Sequence, residues 1–208
     1  MLAGGASRRF GSPKAFARVG ERRLVERGAE ALRAAALPVG LVVADPAQAG
    51  GTDLPFRLDR HLGLGPLGGI DAALRWADEV ALPGALCLAC DLPFVPASLL
   101  RTLAEHGAAG RADVVLPASR GRWGWEPLCA FYSVRALPRV ADAIRSGKRR
   151  IAALVESARI EVLPLDRVCR WGDPDTLFLN VNSPDDHRRA ERIAASLPHP
   201  PDAASRSR

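Results

Sequence analysis

The opening stretch "MLAGGASRRFGSPK" crowds a glycine pair, two arginines and a lysine into fourteen residues, a combination suited to surrounding a polyanion. Gly4 and Gly5 let the backbone approach a ligand and turn N–H groups toward it, while Ser7, Arg8, Arg9 and Lys14 supply donors and positive charge. The GxxxxGK[ST] spacing of a P-loop fails between Gly5, Gly11 and Lys14, and a solvated terminus is the plainer alternative. A second candidate is "CLACDLPFVP", where an apolar run ends at Asp91 and the chain turns through Pro93 and Pro96. A carboxylate fixed at the end of a strand can hold a metal–phosphate complex, or it can cap the turn that follows; Asp91 alone leaves both open.

Two further stretches carry polar chemistry. "GLGPLGG" fits GxGxxG, precedes a helical pattern and is followed at Asp91 by an acid at dinucleotide-fingerprint distance. That fingerprint requires a buried strand before its turn, whereas "PFRLDRHL" is polar and charged and Pro66 occupies the turn. A glycine loop that touches a nucleotide base or sugar fits better. "FLNVNSPDD" holds the only two asparagines, Asn180 and Asn182, which face one way if the segment is extended. Their amides suit a heteroaromatic ring or a phosphate with its metal, alongside a helix N-cap by Ser183 or Asp185. Trp123, Trp125 and Glu126 precede a strand, and the tryptophans read as core or interface packing without a catalytic role.

The elements that must position these residues alternate between helix-period and strand-like segments. Residues 22–36 space Leu24, Gly28, Leu32 and Ala36 at i+4, and 39–44 follow as a short β-branched run. Helix 70–81 precedes strand 85–90; a helix from near Pro96 precedes strand 113–118, and 128–133 is a further strand. Helices near 134–144 and 151–157, a strand from 160, a short "LFLNV" and a closing helix from about Pro184 complete the chain. Apolar strands without a polar face, separated by helices, predict an α/β protein with a mainly parallel sheet covered on both sides. One domain over 1–195 and a disordered tail over 196–208, rich in Pro, Ser and Arg, are expected. In such sheets ligands sit at the carboxyl ends of the strands, which selects the loops after Leu2, after Val43, after Cys90 and around Asn180.

Composition narrows the function classes. The 208 residues carry a net charge of +6, but the basic residues are dispersed without interleaved aromatics, which disfavours nucleic acid and leaves a polyanionic small molecule. Of 29 basic residues only Lys14 and Lys148 are lysine, so a retained lysine points to a need for a compact charge. No signal peptide and no apolar run of bilayer length stand out, which makes the cytoplasm the default. Cys87 and Cys90 form a CxxC inside an apolar run with no second pair at zinc spacing, so buried thiols are expected; the four histidines are scattered and suggest no metal site.

Taken in order, "LAGGASRRFGSPK", "GPLGGI", "CDLPFVP", "EPLCAFYS", "GKRRIAAL" and "NVNSPDD" resemble the molybdenum cofactor guanylyltransferases, over nearly the whole chain up to the tail. The resemblance implies a three-layer α/β/α Rossmann-like nucleotidyltransferase fold with a mostly parallel central sheet. It also implies use of Mg-GTP and molybdopterin, or its molybdenum-loaded form, to make the guanine dinucleotide cofactor and pyrophosphate. By motif position Leu2, Ala3, Gly4 and Gly5 line the GTP site, Arg9 and Lys14 hold phosphates, Asp91 binds Mg2+, and Asp59 and Asp45 contact the nucleotide. Asn180 and Asn182 fall on the pterin side. A monomer is expected, with docking of a molybdoenzyme or chaperone left open, and no nucleic-acid or membrane partner. Two departures stand out: only Met1 and Leu2 precede the loop, so a stunted or truncated first strand is expected, and Pro13 stands before Lys14 where the family commonly has Asp. A related cytidylyltransferase, or an enzyme using another phosphorylated acceptor, is the alternative within the chemistry. A non-catalytic nucleotide-binding protein is the alternative outside it, and Asp91 together with Lys14 argues against that.

Overall fold

The computed structural model describes residues 1–4, 14–61, 63–147 and 151–197. After a 3-10 turn, Lys14–Phe16, a two-stranded hairpin of β1 (Arg18–Val19) and β2 (Arg22–Arg23) leads into α1 (Leu24–Ala34). There follow β3 (Leu41–Val43), β4 (Phe56–Leu58), α2 (Pro66–Glu79), β5 (Gly84–Leu88), α3 (Ala97–Ala108), β6 (Val114–Pro117) and β7 (Cys129–Ser133). The last third contains α4 (Leu137–Arg145), α5 (Ile151–Ser157), β8 (Ile160–Leu163), the one-turn α6 (Leu165–Val168) and α7 (Pro174–Leu177), and α8 (Pro184–Ser196). The tail expected from 196 lies, beyond Leu197, outside the described residues.

Strand residues alternate between two apolar clusters because successive side chains point to opposite faces. Leu41, Val43, Leu88, Val115, Cys129 and Phe131 join Val25, Leu32, Leu99 and Leu103 of α1 and α3. Val42, Cys87, Val114, Leu116, Ala130 and Tyr132 join Ile70, Leu74, Val140 and Leu154 of α2, α4 and α5. Both faces of these strands are therefore apolar, which is why they read as continuous hydrophobic runs. Cys87 lies in that core, buried as the sequence suggested, and burial pushes its thiol up to about 12.

Hydrogen bonds order the strands β5-β7-β6-β8 and pair β3 with β4; Leu2 bridges the two groups, parallel to Val42 on one side and to Ala89 on the other. The sequence predicts a mainly parallel sheet, and the four-stranded group is mixed. β7 is antiparallel to both β5 and β6, while β6 and β8 are parallel. The physical reason is the connection: β6 returns through residues 118–128, a turn without a crossover helix, and so short a link reverses direction. Trp123, expected in packing, is 45% exposed at that turn, stacked beside Trp125. β4 was missed because it is an edge strand whose three residues are all exposed, so "PFRLDRHL" does contain a strand before the glycine loop. Among the described residues no helix is long and apolar enough to cross a membrane.

Close packing of α3 on β7 depends on Gly107, where an added Cβ would lie 2.1 Å from the Phe131 ring. Gly107→Ala is expected to lower unfolding free energy by roughly 1–3 kcal/mol through overpacking, measured by chemical denaturation. An unchanged midpoint and slope would contradict this packing.

Candidate functional site

The first residues of the chain build one wall of a cleft. Leu2 donates its N–H to Leu88 O (2.8 Å) and accepts from Cys90 N (3.0 Å), while Ala3 N donates to Val42 O (2.9 Å). Threaded between β3 and β5 in this way, residues 1–4 arrive at the carboxyl ends of both strands. The cleft there, of about 290 Å³, is lined by Leu2, Ala3, Gly4, Asp59, Gly65, Pro66, Gly69, Cys90, Asp91, Leu128 and Asn182, with Val42 and Ala89 at its base.

The glycine loop closes the second wall. Gly65 caps α2 with φ +62°, a value that favours glycine, and Pro66 takes the first helical position, where no N–H is required. The N-terminus of this fourteen-residue helix faces the cleft and favours anions. Asp59 follows β4, its N–H donating to Val43 O (2.8 Å) and its carboxylate accepting from His61 N (2.7 Å). An added Cβ at Gly68 would lie 2.5 Å from that carboxylate, so glycine is what allows Asp59 to rest on α2. His61 in turn faces the buried Asp71 (3.4 Å), which also accepts from Arg75 Nε (2.8 Å). This chain of contacts ties the loop to the body of α2.

Asp91 stands just past β5, and its carbonyl accepts from Val181 N (3.0 Å). That bond docks the asparagine segment against the strand end and brings Asn182 to the cleft; Asn180 is half-buried beside it and outside the lining. Ser183, not Asp185, caps α8, in a capping box with Asp186. Asp45 is exposed and caps the 3-10 helix Pro46–Ala49, accepting from Ala47 N (2.8 Å); it is not among the residues that line the cleft, though Ala44 beside it packs against Gly4. Gly5 and Arg9 lie outside the described residues, and Lys14 opens the 3-10 turn at Lys14–Phe16.

Sequence reasoning missed Glu126. The register of β5 with β7 pairs Leu88 with Cys129, and Ala89 N donates to Leu128 O. The ladder stops there, because the Leu128 N–H turns to the Glu126 side chain and Leu92 N closes a turn on Ala89 O; Glu126, just ahead of β7, is left where the charge of Asp91, just past β5, reaches it. Glu126 Oε1 accepts from Leu128 N (3.0 Å), the cleft-lining residue two positions on. Burial pushes the Glu126 carboxyl up to about 7; the Leu128 N–H opposes this and the charge of Asp91 adds to it. The signal was present in "EPLCAFYS", an acid immediately before a strand, but only the antiparallel pairing brings it to Asp91.

At this end of the cleft the lining offers hard oxygen atoms, the Asp91 carboxylate and the Asn182 amide, with the Glu126 carboxylate behind them. That chemistry fits Mg2+, which takes one or two carboxylates and completes its shell with phosphate oxygens and water. Among the described residues no group of three or more His, Cys, Asp or Glu gathers as a metal cage.

Comparison with known proteins bears on this arrangement. Residues 1–162 match the MobA-like NTP transferase domain. A probable molybdenum cofactor guanylyltransferase of Carboxydothermus hydrogenoformans is 32% identical over 193 residues, covering 93% of this chain and 94% of that protein. One of Bacillus subtilis is 32% identical over 199 residues, covering 95% and 96%. The crystal structure of molybdopterin-guanine dinucleotide biosynthesis protein A from Archaeoglobus fulgidus superposes with a TM-score of 0.79 at 29% identity, over 94% of this chain and 97% of that one.

The raised Glu126 carboxyl makes a sign-definite prediction. Between its ordinary 4.5 and about 7 the folded protein holds a proton that the unfolded chain has lost, so stability falls as pH rises through that window. Without metal, Glu126→Gln should remove a loss on the order of 3 kcal/mol, seen as a smaller drop in unfolding free energy from pH 4.5 to 8 than in the unsubstituted protein. Parallel pH profiles for the two proteins would refute the assignment.

Proposed function

The chain belongs to the MobA-like NTP transferase domain family, and on that premise we propose that it transfers GMP from Mg-GTP to the phosphate of molybdopterin, or its molybdenum-loaded form, releasing pyrophosphate. The observation that carries this reading is the convergence on one cleft of residues 2–4, Asp59, the glycine loop and the N-terminus of α2, Asp91 and Asn182. A phosphate oxygen of molybdopterin attacks the α-phosphorus of GTP in line, and the bond to the pyrophosphate oxygen breaks. No protein nucleophile is needed, so the work is positioning two anions and neutralising their charge.

In this reading Leu2, Ala3, Gly4 and Gly5 offer backbone to the guanine, and Asp59 and Asp45 orient the nucleoside. Arg9 and Lys14 hold the phosphates. Asp91 seats the magnesium ion, which when bound neutralises phosphate charge and polarises the reacting phosphorus. Asn180 and Asn182 hold the pterin side, supported by the bond from Val181 N to the Asp91 carbonyl. The same reading takes residues 1–195 as one cytoplasmic, monomeric domain. Its fold is a three-layer, Rossmann-like one, supported by the two apolar clusters on opposite strand faces, with a sheet mostly parallel except at β7, supported by the parallel pairings of Leu2, of β3 with β4 and of β6 with β8.

The test supplies the protein with molybdopterin, magnesium and each of the four nucleoside triphosphates in turn and measures pyrophosphate. GTP should be the productive nucleotide; release with CTP alone, or with none, overturns the reading. Asp91→Asn should lower pyrophosphate release by at least about a hundredfold while GTP still binds.

A further inference from the structure

Glu126 has no part in the mechanism above, yet its placement differs from that of an ordinary surface acid. It precedes β7, its backbone N–H donates to Pro117 O (3.0 Å), and Oε1 accepts from Leu128 N (3.0 Å). Its backbone is thus pinned between β6 and the strand entering the cleft floor. Ala89 N donates to Leu128 O, so the residue whose N–H Glu126 holds is itself bonded two positions before Asp91, and the charge of Asp91 bears on the Glu126 carboxyl. Two like charges this near disfavour each other's ionised form, and a structural turn acceptor at this position needs no negative charge. A divalent cation beside Asp91 turns that repulsion into attraction.

We infer that Glu126 is a positioning residue whose carboxylate strengthens the hold of Asp91 on a divalent cation at the end of β5, an inference that rests on the cleft being the nucleotide site. The two carboxylates together supply two negative charges facing one small dication, while phosphate oxygens and water fill its remaining positions. Carboxylates outside a metal's immediate ligands commonly tune its affinity by 10- to 100-fold on mutation.

The experiment titrates Mn2+ into the full chain without nucleotide and counts unbound Mn2+ by electron paramagnetic resonance. Glu126→Gln keeps an amide oxygen to accept from Leu128 N and removes only the charge; Glu126→Asp keeps the charge. Circular dichroism establishes that each variant is folded. The expected result is a roughly 10- to 100-fold weaker Mn2+ affinity for Glu126→Gln, recovery toward the original value in Glu126→Asp, and a greater loss in Asp91→Asn. If Glu126→Gln binds Mn2+ as the unsubstituted protein does while Asp91→Asn does not, Glu126 has only a structural role and the cleft reading stands. If Asp91→Asn binds Mn2+ normally, or the unsubstituted protein binds none, the cation is not held at the end of β5 and both readings fall.

Discussion

The site depends on the insertion of Leu2 between β3 and β5. Its N–H reaches Leu88, its carbonyl receives Cys90, and the neighbouring pairs Ala3 to Val42 and Val42 to Met1 complete the ladder. Among the described residues, two groups of strands that share no other ladder are joined through it. Asp59 follows the edge pair on one side and Asp91 ends the strand on the other, so their meeting in one cleft is a consequence of that insertion. The Leu2 side chain is itself buried, and Gly69 of α2 lies against it with room for no larger residue without displacement: an added Cβ would sit 3.2 Å from Leu2 Cδ2.

The cleft is electrostatically divided. Its protein wall carries acids, Asp59 and Asp91 at the lining and Glu126 just behind it, while the α2 N-terminus supplies the positive end of a helix dipole. An anionic triphosphate would meet repulsion from the acids unless cations intervene. The proposed cations come from two places: the arginine and lysine of the opening loop, and a divalent ion seated on Asp91. The acids and the cations are therefore parts of one balance. Buttressing from Asp71, only 1% exposed and paired with Arg75 and His61, holds the loop beside Asp59 and limits how far that balance can relax by motion.

How much of this was legible in the sequence followed from what each signal encodes. Helices with an i+4 apolar stripe, such as α1, and strands buried on both faces, such as β5 and β7, announce themselves through hydrophobicity. β4 does not, because an exposed edge strand carries a polar sequence like that of a loop. Strand direction is also invisible, since "LCAFYS" is equally apolar read either way; only the short link from β6 decides it. In the site, Asp91 was found because a strand-end acid after an apolar run is a local pattern. Asn182 lines the cleft because the neighbouring Val181 N–H bonds the Asp91 carbonyl, a contact that no local pattern records. Glu126 escaped because Asp91 lies 35 positions away in the chain and only the pairing of β5 with β7 brings the two near each other.

The account stands most directly on where a divalent ion sits when nucleotide is bound. Crystals grown with Mn2+ and a GTP analogue resistant to transfer, measured at the manganese absorption edge, give that position from anomalous scattering. The account predicts one strong peak in the cleft, within about 2.3 Å of an Asp91 carboxylate oxygen and touching the phosphates. Nucleotide bound with its manganese away from Asp91, or nucleotide seated outside this cleft, would contradict it.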